Sequence, residues 1–147
     1  MRVQEALGVS VRKYHMNEGH SSLLALELLE RSGGDPEGVR KRCVFTTHTP
    51  VQAGHDQFSY EIVREILGGG AIEMLRRFGG RDRLNMTLFA LNLSMYVNGV
   101  AKRHRETSRS MFPGYEIHSV TNGVHSHSWT CPSFPGVYDR YLPDWAN

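Results

Sequence analysis

The stretch Lys41-Arg42-Cys43-Val44-Phe45-Thr46-Thr47-His48-Thr49-Pro50 limits the possible folds more than any other part of the chain. Val44 and Phe45 favour extended backbone, and Pro50 drives Thr49 out of the α region, so the apolar run reads as a short buried strand opening into a polar loop. The hydroxyls of Thr47 and Thr49 and the imidazole of His48 then stand at the carboxyl end of that strand. In an open α/β sheet this is the edge where ligands bind.

The flanking segments can supply the rest of such a sheet. Residues 1–7 read as the end of a helix closed by Gly8. Residues 9–16 alternate as a strand that ends in Asn17-Glu18-Gly19-His20. Residues 20–32 have helical spacing: Leu23, Leu24, Leu26, Leu28 and Leu29 cover most of the circumference, and Glu27, Glu30 and Arg31 leave one polar strip. Gly33-Gly34-Asp35-Pro36 ends this helix. Strand, helix and strand in this order predict a right-handed parallel crossover, which brings the Asn17 and His48 loops to one sheet edge.

Farther on, residues 60–67 and 71–78 are read as short helices between Gly68-Gly69-Gly70 and Gly79-Gly80, either an excursion over the binding edge or a plain surface insertion. Residues 84–93 and 98–111 also have helical spacing. In the second, Lys102, Arg103, Arg105 and Arg109 lie mostly on one face; Glu106 interrupts them and no aromatic side chain accompanies them, so the face reads as solvated. A third strand is expected near 116–121, ending in Thr121-Asn122-Gly123, with Asn-Gly supplying positive φ for a sharp turn. Residues 124–147, rich in Trp, Pro and Tyr and without a period, read as a segment that packs against something else.

Composition narrows the function. The 147 residues are 39% apolar and 22% charged, enough for one domain with a core, and the net charge of +2 is spread along the chain. Cys43 and Cys131 have no CxxC spacing, and Cys43, inside the apolar strand, reads as a reduced core thiol. No apolar run reaches the roughly 18 residues of a membrane span, and the N-terminus has no apolar signal segment, so a cytoplasmic protein is expected. His125 and His127, and His15 and His20, lack a carboxylate at zinc-type spacing, so no metal is expected. GxSxG, GxGxxG and Walker patterns are missing, which argues against a serine nucleophile, a dinucleotide and a nucleoside triphosphate. The three strand ends offer amides, hydroxyls and imidazoles with few charges, an inventory suited to a polyhydroxyl ligand.

The blocks HMNEGH (15–20), VFTTHTP with AGHD (44–56), NMTLFAL with VNGVAKRH (85–104) and SVTNGVHSHSW (119–129) resemble consecutive blocks of the α-glucan phosphorylases, the glycogen and maltodextrin phosphorylase family. They occur in family order, and the AGHD form is most similar to the shorter bacterial and archaeal branch. The resemblance implies an α/β fold, a Rossmann-like parallel sheet with flanking helices, as part of the N-terminal lobe of a two-lobe GT-B type glycosyltransferase. Residues 1–123 would be a partial lobe and 124–147 an interlobe or tail segment. The implied reaction is phosphorolysis of terminal α-1,4-glucosidic bonds, releasing glucose 1-phosphate. The implied partners are α-1,4-glucan, inorganic phosphate and a C-terminal lobe, with a homo-oligomer possible and neither nucleic acid nor membrane involved.

The family's pyridoxal phosphate is carried by a lysine of the C-terminal lobe that has no counterpart here. The chain therefore reads as a fragment, inactive alone, with no catalytic, cofactor-binding or metal-binding residue assigned. On the substrate side, His48 matches a strand-end histidine close to the sugar, flanked by Thr47 and Thr49. Asn98-Gly99 matches an Asn-Gly that starts a helix beside the glucose. Met95 stands where animal-type enzymes have a histidine contacting the sugar 6-hydroxyl, and Asn17-Glu18 matches an Asn-Asp pair taken as loop support. Two alternatives stay open: a nucleotide-sugar GT-B glycosyltransferase, which should show a glycine-rich donor loop, and a non-catalytic oligosaccharide-binding remnant.

Overall fold

Local signals account for most of the element boundaries in the computed structural model, which describes residues 2–146. Helix α1 (Arg2–Ala6) is followed by Gly8 at φ +64, a left-handed conformation that glycine adopts without steric cost. Strand β1 (Tyr14–Asn17) leads through a 3-10 turn (Gly19–Ser22) into α2 (Leu23–Arg31). Asp35 then caps α3 (Pro36–Arg42), accepting from the Glu37 and Gly38 amides at 3.1 Å each, with Pro36 in the first turn and Arg40, Lys41 and Arg42 at the carboxyl end of the helix dipole. Strand β2 (Cys43–Thr47) follows directly.

The middle of the chain forms a side structure. Strand β3 (Gln57–Ser59), helices α4 (Tyr60–Leu67) and α5 (Ile72–Gly79) and strand β4 (Arg83–Asn85) come in sequence, and β3 pairs antiparallel with β4. Asn85 caps α6 (Met86–Asn92) by accepting from the Leu88 amide at 2.9 Å. The chain then returns through β5 (Tyr96–Gly99), α7 (Lys102–Met111) and β6 (His118–Ser119) before α8 (Ser126–Trp129) and α9 (Pro135–Tyr141). The main sheet has the order β1-β2-β5-β6 and every neighbouring pair is parallel. The fold is therefore α/β with a four-stranded parallel sheet and flanking helices.

Register divides this sheet into two unlike faces. Met16 pairs with Phe45 and Phe45 with Val97, and this row lies in the core with Leu28, Leu29, Leu75 and Phe89 from the helices. Asn17 pairs with Thr46, Thr46 with Asn98 and Asn98 with His118, which puts a polar row on the opposite face. His15, Asn17 and Tyr96 on that second face are exposed. A parallel sheet is normally covered on both faces and apolar on both. Here only one is.

Several expectations need correction. The strand expected over 9–16 begins at Tyr14, because its partner begins at Cys43 where α3 has just ended, and the Val9 amide turns back to the Gln4 carbonyl at 2.9 Å. The helix expected over 98–111 begins at Lys102; Asn98 and Gly99 instead end β5, a strand the spacing did not reveal. The strand expected near 116–121 is assigned only at His118–Ser119, although the Val120 and Asn122 amides go on to bond the Gly99 and Val100 carbonyls at 3.0 and 3.1 Å. Neither Asn122 nor Gly123 takes positive φ.

The tail after β6 buries no described residue. Trp129 is 80% exposed and Phe134 49%. Trp145 packs within the tail, its indole N–H donating to Asp139 at 2.9 Å and its ring 5.1 Å from those of His127 and Tyr138. No described helix is long and apolar enough to cross a membrane.

Candidate functional site

The polar row of the open face ends in a hollow at the carboxyl edge of the sheet. It has a volume of about 250 Å³ and is lined by His15, Asn17, Thr46, His48, Asn98, Val120 and Asn122. All four strands contribute, directly or through the loop that follows, because parallel register delivers their ends to one place. Thr46 sits at the centre: its hydroxyl donates to Asn98 Oδ1 at 3.0 Å and lies 2.7 Å from His15 Nε2. A hydroxyl has one proton, so with that proton given to Asn98 it must accept from His15, which fixes His15 as donor through Nε2. Asn98 Nδ2 donates in turn to the Gly99 carbonyl at 3.2 Å. Beside this row the Tyr96 and His118 rings stack 4.7 Å apart at 3°.

The opposite side of the same edge is organised by Glu18. Its carboxylate accepts from the Gly19 amide (3.1 Å) and the Thr47 hydroxyl (3.3 Å) on one oxygen, and from the His48 amide (2.7 Å) and the Thr49 hydroxyl (3.0 Å) on the other. Burial by itself would raise this carboxyl's pKa, but the donors of His48, Thr49 and Gly19, together with nearby His55, outweigh burial and hold it below its ordinary value. Glu18 is ionised at neutral pH and ties the end of β1 to the loop after β2.

The residues singled out in the sequence therefore separate. Asn17, His48 and Asn98 line the hollow. Thr47 and Thr49 do not line it; their hydroxyls turn to Glu18, and Thr47 is 1% exposed. Gly99 is buried where a Cβ would lie 2.5 Å from His104 Nδ1, so it serves the close approach of β5 and α7. Gly99→Ala is expected to cost about 1–3 kcal/mol through this overlap, measurable by urea unfolding. Met95 is not brought to the group. Its amide bonds the carbonyl of Cys43 and its sulfur receives Lys13 Nζ at 3.0 Å, both at the amino ends of the strands. This placement sets Met95 away from the hollow, at the opposite ends of the strands.

His15, Thr46, Val120 and Asn122 are the lining residues that the motif reading did not assign. The signal for the first two was alternation, since His15 shares a face with Asn17 and Thr46 with His48.

Two further histidines are buried behind the sheet edge. His55 Nδ1 lies 2.9 Å from the Thr87 hydroxyl and its ring meets Phe112 edge-on at 5.1 Å; His104 Nδ1 accepts from the Val100 amide at 3.3 Å. The Nε2 atom of each has no hydrogen-bond partner. Burial pushes His55 below its ordinary pKa; Glu18 opposes this, His104 adds to it, and Asp56 opposes it more weakly. In the unfolded chain this imidazole titrates near about 6.5, so the unfolded state binds more protons just below that pH. The stability this neutral side chain contributes is present above about pH 6.5 and is lost as pH falls through the lower folded value. The urea midpoint is expected to drop between pH 7 and pH 5, and His55→Gln should flatten that dependence.

The hollow offers amides, hydroxyls and imidazoles, and in its one hydroxyl–imidazole contact, Thr46 with His15, the hydroxyl proton is turned to Asn98 and not to the imidazole. Among the described residues no three His, Cys, Asp or Glu side chains come together to hold a metal ion. Cys43 is buried in β2, and burial pushes its thiol up to about 11, with Arg42 and Lys13 opposing weakly, so it is an inert core thiol. Pyridoxal phosphate does not fit the residues present. Lys13 is hydrogen-bonded to the Lys41 carbonyl, Lys41 and Lys102 are exposed, and none of these three lysines lines the hollow. A separate hollow of about 190 Å³ between α2, α4 and the β3-β4 ribbon is lined only by apolar side chains such as Phe58, Ile62 and Ile66.

No family model matches the chain. Individual relatives do. The chain is 34% identical to the maltodextrin phosphorylase of Thermococcus litoralis in an alignment covering 97% of the chain and 20% of that protein. It is 35% identical to the glycogen phosphorylase of Mycobacterium tuberculosis (82% of the chain, 18% of that protein) and 32% identical to that of Aquifex aeolicus (94% and 23%). The chain thus spans about a fifth of the length of these relatives. Similarity of this degree along most of its residues, to bacterial and archaeal proteins alike, makes the chain a member of the glycogen and maltodextrin phosphorylase family.

Proposed function

We propose that this chain supplies sugar-binding loops to the N-terminal, Rossmann-like lobe of a GT-B type α-1,4-glucan phosphorylase. In the whole enzyme, inorganic phosphate would cleave a terminal α-1,4 bond to release glucose 1-phosphate. The observation that carries the reading is the uncharged hollow itself: His15, Asn17, His48, Asn98 and Asn122 offer donors and acceptors that match sugar hydroxyls. A site for inorganic phosphate would instead call for lysine or arginine at its lining, and this hollow has neither. Pyridoxal phosphate and inorganic phosphate belong, in this reading, to polypeptide beyond these 147 residues.

Residues 1–123 are proposed as the lobe portion and 124–147 as a segment between lobes, a division supported by the exposed apolar side chains of Trp129 and Phe134. Cys43 and Cys131 are unpaired, which suits a cytoplasmic enzyme.

Titration calorimetry of the chain with maltoheptaose tests the assignment. His48→Ala is expected to weaken binding about tenfold, or about 1.4 kcal/mol, with little change in the urea midpoint, since His48 is exposed and outside the core. Equal affinity of the variant and the unmodified chain would remove His48 from the site.

A further inference from the structure

We propose that Glu18 is the positioning residue of the glucan site and that only a carboxylate at this position can hold the His48 loop in place. The proposal rests on the glucan reading for what the loop does, but the positioning itself stands on separate geometry. Glu18 has φ 66 and ψ 166. That backbone region is essentially reserved for glycine, and a side-chain-bearing residue persists there only when its surroundings over-determine it. They do so here: the Glu18 amide donates to the Thr46 carbonyl at 2.8 Å, and its own carbonyl accepts from the Ser21 hydroxyl at 2.7 Å and the Ser21 amide at 3.2 Å. The conformation sends the carboxylate across to the end of β2.

The chemistry at that end is specific. Each carboxylate oxygen receives one backbone N–H, from Gly19 on one and from His48 on the other, together with one threonine hydroxyl. A hydroxyl can rotate and become an acceptor; a backbone N–H can only donate. Glutamine has the same shape, but whichever way its amide is turned, an NH₂ group faces one of the two fixed N–H donors. It must lose either the Gly19 or the His48 contact, and the His48 contact is the shorter, at 2.7 Å. Glycine would relieve the backbone and remove all four bonds. Alternation then places His48 on the opposite face from Thr47, so the loop that Glu18 ties down from behind presents His48 to the hollow.

The test is amide hydrogen exchange and chemical shift of the isotopically labelled chain, read at His48 and, as a control inside the same strand, at Phe45. Glu18→Gln and Glu18→Gly are expected to speed His48 exchange at least tenfold and leave Phe45 unchanged, and to weaken maltoheptaose binding about tenfold. In the unmodified chain the His48 amide shift should follow the Glu18 carboxyl carbon through a single acid titration. The titratable side chain facing that carboxylate is His55, and the His48 amide should follow the Glu18 carboxyl carbon and not the His55 ring. This co-titration decides the matter even where a variant does not fold. A His48 amide indifferent both to Glu18→Gln and to the carboxyl titration overturns the proposal. Absence of maltoheptaose binding by the unmodified chain overturns the glucan reading and the site role with it, and the exchange data tell this failure apart from a failure of the positioning.

Discussion

Phe45→Ala is expected to destabilise the chain by about 3–5 kcal/mol, the range for truncating a buried phenylalanine to a cavity. Phe45 is 0% exposed and sits in β2, an interior strand of the sheet, paired with Met16 on one side and Val97 on the other. The open face cannot collapse inward to fill the void, because Thr46 and Asn98 on that side are tied to each other and to His15 by hydrogen bonds. Small domains are stable by only about 5–15 kcal/mol, so one such loss removes much of the margin. Urea unfolding followed by near-ultraviolet circular dichroism reads the effect; a loss below about 1 kcal/mol would mean that the apolar face of β2 is not the centre of the core.

The larger effect concerns activity. The 147-residue chain is expected to release no glucose 1-phosphate from maltodextrin and phosphate, even with pyridoxal phosphate added. Phosphorolysis requires the sugar, the attacking phosphate and the groups that activate it in one geometry. Such positioning can supply about 7–11 kcal/mol of barrier reduction. In the proposed reading the hollow offers partners to a sugar alone: its lining has no lysine or arginine for phosphate and no lysine placed to carry the cofactor. Stray imines on the exposed Lys41 or Lys102 would lie away from it. An assay for glucose 1-phosphate with purified chain, cofactor and maltodextrin checks this. Turnover clearly above a control without protein would show that the chain holds a complete active site.

Much of the sheet was legible in the sequence. β2 was marked by its apolar run and by Pro50, α2 by its leucines, and α4 and α5 by glycine punctuation. The convergence of the Asn17, His48 and Asn122 loops followed from parallel crossovers. β5 was missed because four residues give too little alternation to recognise a strand, and its last two, Asn98-Gly99, read equally well as the start of the next helix. Met95 was included through the resemblance, for its place three residues before Asn98, and β5 lays most of that distance out along a strand. Three residues along a helix stay on one face within about 5 Å, whereas three residues along a strand span about 10 Å, here from one sheet edge toward the other.

The antiparallel β3-β4 ribbon has three residues in each strand, too short for a pattern. α3 was hidden because Asp35-Pro36 ends one helix and caps the next. Thr47 and Thr49 were grouped with His48 by adjacency, when the alternation of a strand turns them away from it. Nothing in residue type marked the positive φ of Glu18, since glutamate is a poor choice for that conformation; its backbone bonds to Thr46 and Ser21, together with the four donors to its carboxylate, explain it.

The central claim is that an α-1,4-glucan binds the polar hollow on the open face of the sheet. Amide chemical-shift mapping of the labelled chain titrated with maltoheptaose tests it most directly. The expected result is a saturable set of shifts at Asn17, Thr46, His48, Asn98 and Asn122, with Phe45 and Leu75 in the core unmoved. Shifts centred instead on the apolar hollow of Phe58, Ile62 and Ile66, or on the tail around Trp129, or no saturable shifts at all, would contradict the account.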